Sequence, residues 1–117
     1  MARKIVLIVE AEQTEGLSAR KMLVESLRHH VMTAYSGSEA LELLERVHAD
    51  VVLVHSHIEG QSCEDIISAV EQRFPHVQVV ALTPGGCHFC GSVTTIDSMR
   101  PQDLVRYFDS AADPQPA

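Results

Sequence analysis

Two histidines and a pair of cysteines are the residues of this chain whose types favour metal or thiol chemistry. His55 and His57 stand two positions apart, and Cys87 and Cys90 form a Cys-x-x-Cys pair flanked by glycines. Thiolate sulfur and imidazole nitrogen are the ligands that tetrahedral zinc prefers, while two thiols at this spacing also form a redox-active dithiol. The sequence alone leaves three interpretations of the Cys-x-x-Cys segment open: a metal site, a redox site, and a flexible loop with free thiols.

The metal interpretation takes Cys87 and Cys90 as thiolate ligands, together with His55 and His57, or with one of these histidines and Glu10. Such soft ligands select zinc-like over magnesium-like ions. A thioredoxin-like motif is disfavoured because that motif opens a helix, whereas the residues that follow Cys90 lead into a predicted strand.

The composition describes a single acidic domain with an aliphatic core. The 117 residues are 45% hydrophobic but only 4% aromatic, and the formal net charge is −7 with a pI near 5.4. A chain of this length forms one domain. Because its lysines and arginines form no extended cluster, we do not expect it to bind nucleic acid.

Neither a membrane span nor a secreted disulfide framework is indicated. No apolar run approaches the roughly 18 residues that a membrane-spanning helix needs. The cysteine count, three, is odd, which is unlike the framework of a small secreted protein. Cys63 is interpreted as a small buried residue. We therefore expect a cytoplasmic protein without a membrane partner.

Five short apolar runs predict strands, and the segments between most of them predict helices. The strand predictions cover residues 5–9, 31–35, 51–54, 77–82 and 93–96. The first helix is predicted over residues 13–30 from apolar residues that recur three and four positions apart. Strands that alternate with helices form right-handed βαβ units, so a parallel sheet is expected.

Capping residues predict where the later helices begin. Ser36 stands three residues before Glu39, and Ser62 stands three residues before Asp65, a spacing typical of helix N-termini. Pro75 is predicted to end the helix that follows Ser62, and Pro101 to lie in the first turn of the last helix. The residues predicted to face the core in these three helices are Ala40, Leu41, Leu44, Val47, Ile66, Ile67, Val70, Phe74, Leu104, Val105 and Phe108.

The predicted sheet places the histidines where ligands collect. In open parallel sheets, ligands bind outside the carboxyl ends of the strands, and His55 and His57 directly follow the central strand. Glu10 follows the first strand, and Thr83 closes the fourth. These side chains are expected to share one edge of the sheet.

The central segment also carries a family resemblance. Residues 49–60 read Ala-Asp-Val-Val-Leu-Val-His-Ser-His-Ile-Glu-Gly, a buried strand and a short loop that ends in glycine. This resembles the central strand and loop of a CheY-like response-regulator receiver domain, whose pattern is Asp-Leu-Val-Leu-Leu-Asp followed by a loop ending in glycine. Further matches, in the same order as in the family, are Arg20, Leu23, Leu27, Val31, Ala34, Gly37, Ala40, Leu41 and Leu44.

The resemblance covers residues 3–110 and implies an α/β fold. It implies a single-domain, doubly wound parallel sheet of five strands in the order 2-1-3-4-5, as in CheY and flavodoxin. The domain is expected to span residues 1–111, with 112–117 as a flexible C-terminal tail. Residues 84–92 are too few for a full fourth helix and include three glycines, so a shortened helix or a Gly/Cys loop is expected there.

The functional positions of the family are mostly altered in this sequence. The resemblance implies an aspartate that accepts a phosphoryl group at the position of His55, and a magnesium-binding acid pair at Glu10 and Ala11. It implies a hydroxyl at Thr83, which matches, and a lysine at the position of Asp97. Magnesium is not expected, because that ion requires hard oxygen ligands.

Two further departures concern strand five. Thr94 stands where the resemblance implies an aromatic switch residue, and Arg100 takes the place of the lysine only in a shifted alignment. In the family, the fourth helix, strand five and the last helix form the output surface, so we expect a remodelled partner-binding face.

These residues suggest a degenerate, stand-alone receiver of bacterial two-component signalling or a phosphorelay, since the chain ends soon after its last predicted helix. We expect an interaction module that is not an enzyme, acts without phosphorylation, needs no cofactor, and binds signalling proteins or a second copy of itself. The alternative is a metal- or redox-responsive sensor that uses the segment between Cys87 and Cys90 with His55 and His57. A true phosphoacceptor is the third option, and it conflicts with His55, Ala11 and Asp97.

Overall fold

A five-stranded parallel sheet organises the molecule. The computed structural model describes residues 4–10, 24–56, 58, 60–83, 90 and 93–112, with the side chains of the last helix described as far as Asp109. The strands run in the order β2-β1-β3-β4-β5, and every neighbouring pair is parallel. The predicted strand order is therefore confirmed. The strands are β1 (Ile5–Val9), β2 (His30–Ala34), β3 (Val51–His55), β4 (Gln78–Thr83) and β5 (Thr94–Asp97).

Helices pack on both faces of this sheet, and the alternation of side chains along each strand divides the core in two. In β3, Val52 and Val54 join a cluster with residues of α2 and α3, whereas Val51 and Leu53 join a cluster with residues of α1 and α4. Strands buried on both faces require continuous apolar runs, as the sequence shows. The helices are α1 (described over residues 24–26), α2 (Gly37–Arg46), α3 (Cys63–Arg73) and α4 (Pro101–Ala112).

The predicted helix starts are confirmed at atomic detail. Ser36 Oγ accepts a hydrogen bond from the backbone N–H of Glu39 at 3.1 Å, and Ser62 Oγ accepts one from Asp65 at the same distance. Each bond satisfies a backbone donor that the first turn of a helix leaves without an internal partner. α4 begins at Pro101, whose fixed φ suits the first helical position.

Two predicted element boundaries are wrong because backbone hydrogen bonds override the apolar pattern. The first helix was expected to reach residue 30, but its helical part ends at residue 26, and Arg28 adopts a left-handed φ of 70°. His30 instead donates its backbone N–H to Lys4 at 2.9 Å and opens β2. Val77 was expected to begin β4, but its N–H donates to Phe74 at 3.0 Å and closes the preceding turn.

Smaller differences concern the other ends. β3 ends at His55, β4 ends at Thr83 and β5 starts at Thr94, each one residue later than predicted. β5 also ends one residue later, at Asp97, whereas β2 ends one residue earlier, at Ala34. α4 extends through Ala112, one residue beyond the expected domain boundary at 111. Within the described residues, no helix is both long enough and apolar enough to span a membrane.

Candidate functional site at the carboxyl edge of the sheet

The strand ends bring four of the predicted site residues into one row. Val9 pairs with Val54, so Glu10 lies across from His55, the last residue of β3. His55 pairs with Leu82, and Thr83 pairs with Asp97, the last residue of β5. The row along the carboxyl edge is therefore Glu10, His55, Thr83 and Asp97. Ala11, His57 and Cys87 lie outside the described residues.

Backbone hydrogen bonds hold Glu10 and His55 at this edge. Glu10 is only 1% exposed, and its N–H donates to the carbonyl of Ala34 at 3.0 Å, which continues the pairing of β1 with β2. His55 is half-buried, and the next residue, Ser56, donates its N–H to Leu82 at 2.9 Å. The carboxyl and the imidazole are thus carried by rigid strand ends rather than by loops.

Thr83 and Asp97 form the other half of the row. The Thr83 side chain is fully buried, and its Oγ1 finds no hydrogen-bond partner within the described part of the chain. Asp97 Oδ1 accepts the N–H of Met99 at 2.9 Å, and the Asp97 carbonyl accepts the N–H of Arg100 at 3.1 Å. Asp97 therefore stabilises the turn that leads into α4, a role that needs no ligand.

A glutamine ties the loop after β3 to the start of α2. Gln61 Oε1 accepts the backbone N–H of Gly37 at 2.7 Å, and a left-handed glycine, Gly60 with a φ of 78°, precedes it. A Cβ atom at position 37 would lie 3.0 Å from Ile66 Cγ1, so glycine permits the close approach of α2 and α3. Sequence reasoning missed Gln61 because its contact joins residues that are distant along the chain.

The structure pairs Cys90 with Cys63 in a disulfide bond, which the sequence did not predict. Cys63 is buried, as predicted, but as a bonded partner rather than as a small apolar residue. A bonded sulfur carries no thiolate charge, so Cys90 becomes a metal ligand only after reduction. In the described ranges, no three His, Cys, Asp or Glu residues are arranged to hold a metal ion. The metal site at Cys87, Cys90, His55 and His57 stays a prediction.

The topology contained the signal for this pairing. Cys63 opens the helix that follows β3, and Cys90 lies in the linker that follows β4. Because β3 and β4 are neighbours and parallel, both segments leave the sheet at the same edge. The bonded cysteines are 27 residues apart, a contact that the Cys-x-x-Cys spacing does not indicate.

Comparisons with known proteins identify the fold of this chain. No family model and no curated protein matches the chain. Solved structures do match it. The signal receiver domain of an HD domain-containing protein from Pseudomonas fluorescens Pf-5 superposes with a TM-score of 0.81 at 19% identity, covering 95% of each chain. The chain has the CheY-like receiver fold.

Two further receivers agree with this assignment. A response regulator receiver domain protein from Clostridium thermocellum gives a TM-score of 0.76 at 25% identity, covering 92% of this chain and 93% of that one. The chemotaxis response regulator CheY4 of Vibrio cholerae gives a TM-score of 0.73 at 18% identity, covering 93% and 98%. The resemblance read from the central strand is thereby confirmed at the level of fold.

The linker between β4 and β5 is the segment in which the receiver resemblance implies a fourth helix. The expected fourth helix has ten positions available, from Pro84 to Val93. Cys90 and Val93, the two described residues of this linker, both lie outside helices. Cys90 is 1% exposed and joins the core cluster of α2 and α3. A buried, bonded residue thus lies in the segment where a shortened fourth helix or a Gly/Cys loop is expected.

Proposed function

We propose that this chain is a receiver-type signalling module that docks onto partner proteins without accepting a phosphoryl group. The observation that carries the proposal is the position of His55 at the tip of β3, where the receiver resemblance implies an aspartate. Receivers transmit signals by binding other signalling proteins, and the matched structures are named as receivers. The module acts by association rather than by catalysis.

The oxygen donors at the carboxyl edge support the absence of phosphoryl transfer. Glu10 supplies one carboxylate beside His55, position 11 is an alanine, and Asp97 lies on β5, beyond β4. Mg²⁺ prefers a near-octahedral set of oxygen ligands, including carboxylates. Phosphoryl transfer depends on such an ion to neutralise the charge of the transition state. A single glutamate beside an imidazole does not fit this ion.

A charge reversal at β5 supports the same proposal. The family pattern implies a lysine where Asp97 stands, and this residue caps the turn into α4. A carboxylate at this position repels a phosphoryl group, whereas a lysine would attract it. Thr83 retains its hydroxyl, but one neutral donor does not offset the loss of three charged groups, which the resemblance implies at positions 11, 55 and 97.

The test exposes the purified protein to a small-molecule acyl phosphate and Mg²⁺ and follows its intact mass. We expect no phosphorylated species, while a receiver with an intact aspartate gains the phosphoryl mass in the same tube. Samples must be analysed at both acidic and alkaline pH, because phosphohistidine is labile to acid and aspartyl phosphate to alkali. A stable phosphorylated species would overturn the proposal.

A His55→Ala variant provides the matched control for this experiment. If phosphorylated wild-type protein appears and the variant lacks it, then the imidazole is a phosphoacceptor and the module is switched by phosphate. If neither protein gains mass, partner binding should be identical before and after treatment with the phosphodonor.

A further inference from the structure

The disulfide between Cys63 and Cys90 joins two parts of the fold that the backbone leaves separate. Cys63 is the first residue of α3, directly after the N-cap Ser62, and Cys90 lies between β4 and β5. The two Cα atoms lie 5.4 Å apart, within the range that a disulfide spans. The side chains are 2% and 1% exposed. The bond therefore crosses the interior of the protein.

This bond lies beside the candidate site. α3 follows β3, which ends at His55, and the linker follows β4, which ends at Thr83. These strand ends are neighbours in the row along the carboxyl edge. The disulfide thus connects the two segments that leave this edge next to each other. When it is oxidised, a covalent bond holds these segments together, and when it is reduced, that bond is absent.

The two sulfurs differ in their electrostatic surroundings. Cys63 lies at the N-terminus of an eleven-residue helix, whose dipole stabilises a negative charge. Glu64 and Asp65 oppose this effect, but both are exposed to solvent, which screens them. A thiolate at Cys63 is consequently the better leaving group, so an attacking thiol reacts at Cys90 Sγ.

Cys90 lies outside the helices and strands of the fold, between β4 and β5. Opening a loop requires less free energy than unfolding the strands of the core. A buried sulfur in this linker can therefore be reached by a small thiol without unfolding of the sheet.

We propose that Cys63 and Cys90 form a reversible thiol–disulfide site that a low-molecular-weight thiol reduces. The redox state of this site controls how easily the carboxyl edge of the receiver fold opens locally. A thiolate attacks Cys90 Sγ, a mixed disulfide forms, and the Cys63 thiolate departs and takes a proton from water. A second thiolate then attacks the reductant's sulfur, which releases the oxidised reductant and the Cys90 thiolate, which in turn takes a proton. Two electrons pass from two thiols to the protein disulfide.

This proposal goes beyond phosphate-independent docking. Reduction of the disulfide supplies an input signal that the row of Glu10, His55, Thr83 and Asp97 does not supply. In the oxidised form, Cys90 is held against the first turn of α3. In the reduced form, two thiols replace the bond, and packing in the core cluster holds Cys90 in place of the covalent link. The sequence predicts redox chemistry for Cys87 and Cys90, and the proposal assigns this chemistry to Cys63 and Cys90 instead.

The experiment uses Cys87→Ser protein beside the wild type, so that in the variant one intramolecular disulfide alone can form. Both proteins are equilibrated in buffers of reduced and oxidised glutathione, quenched with acid, alkylated under denaturing conditions, digested and analysed by mass spectrometry. We expect a peptide pair linked through Cys63 and Cys90 that converts reversibly to two alkylated peptides. Circular dichroism should show the folded protein at both ends of the titration.

Hydrogen exchange then tests the consequence for the site. On reduction, amides at Cys90, Val93 and the first turn of α3 should exchange about tenfold faster or more, because local opening is easier, while amides of β1 should not change. A variant with both Cys63→Ala and Cys87→Ser, which can form no intramolecular disulfide, should show the faster exchange in every buffer.

Three results would each overturn the proposal. One is the absence of the linked peptide under oxidising conditions. Another is a bond that persists in reduced glutathione until denaturant is added, which would make it a structural crosslink. The last is identical hydrogen exchange in the oxidised and reduced proteins.

Discussion

His29 is a buried histidine whose hydrogen bond determines which ring nitrogen carries the proton. Its Nδ1 accepts the backbone N–H of Lys4 at 3.0 Å, so the neutral ring carries its hydrogen on Nε2. The ring also packs against Phe108, with 4.9 Å between the centroids. Burial, assisted by the charge of Lys4, lowers the pKa of His29 below its ordinary value of 6.5. The residue joins the starts of β1 and β2 to α4 as an uncharged group.

We expect this histidine to make the free energy of unfolding fall as the pH is lowered below about 6.5. In that range the unfolded chain binds a proton at residue 29 and the folded chain does not, so protonation favours unfolding. The loss continues until the pH reaches the lowered pKa of the folded state. Urea unfolding between neutral and mildly acidic pH measures the effect.

A His29→Asn variant is the control, because an amide oxygen can still accept the N–H of Lys4 but does not titrate in this range. The variant should be less stable at neutral pH, since it loses the ring contact with Phe108. Its stability should depend less on pH than that of the wild type. Parallel curves for the two proteins would contradict this account.

Thr83 offers a second prediction at the scale of a single atom. Burial of a hydroxyl without a hydrogen bond is unfavourable by about 1–3 kcal/mol, and Thr83 Oγ1 has no partner in the described part of the chain. Thr83→Val keeps the shape of the side chain and should increase the free energy of unfolding by about 1 kcal/mol. Thr95→Val at an exposed position of β5 should have little effect. A destabilised Thr83→Val protein would show that the hydroxyl is bonded.

At the scale of elements, the helices begin where short side chains replace missing backbone hydrogen bonds. Ser36 and Ser62 both have extended backbones and accept an N–H from three residues further on. Glu39 adds a contact, since its Oε1 accepts the N–H of Tyr35 at 3.3 Å, one residue before the N-cap. α2 and α3 also carry acidic residues in their first turns, which the helix dipole favours.

Removal of one cap should weaken the whole domain. Ser36→Ala leaves the N–H of Glu39 without its acceptor and should lower the free energy of unfolding by about 1 kcal/mol. Ser68→Ala, at an exposed position inside α3, should instead be neutral or stabilising by a few tenths of a kcal/mol, because alanine is the better helix former. Chemical unfolding of both variants distinguishes capping from a general effect of serine. Equal losses would refute the capping role.

At the scale of the whole molecule, the strand order decides which distant residues meet. The chain crosses from β1 to β2 on one side and then returns to place β3 on the other side of β1. This reversal leaves β1, β3 and β4 as the inner strands of the sheet, whose apolar side chains are buried on both faces. It also aligns the strand ends that carry Glu10 and His55, and it brings the segments with Cys63 and Cys90 together.

The disulfide should contribute substantially to stability because it closes a loop of 27 residues. The loss of chain entropy in the unfolded state corresponds to about 3.5 kcal/mol for a loop of this length. Urea unfolding of the wild type should show a lower midpoint with reductant than without it. Protein with both Cys63→Ala and Cys87→Ser, in which no intramolecular disulfide can form, should unfold at the same midpoint in both conditions. A wild-type midpoint that reductant does not change would contradict the crosslink.

Much of the fold could be predicted from residues close together along the chain. The apolar runs predicted all five strands, the two serines predicted helix starts, and residues 49–60 indicated the receiver resemblance. These signals are local, because a strand's buried run and a helix cap depend on side chains within a few positions. The end of the first helix was less predictable, since a bond between His30 and Lys4 overrides the apolar pattern.

The sequence by itself determined the chemical identity of the row at the carboxyl edge: an imidazole at 55, a hydroxyl at 83 and a carboxylate at 97. Only the tertiary structure decided that the His29 ring is buried against Phe108 and that Cys90 is bonded to Cys63 rather than to Cys87. The physical reason is that such contacts depend on which strands lie side by side. No spacing along the chain encodes that arrangement directly.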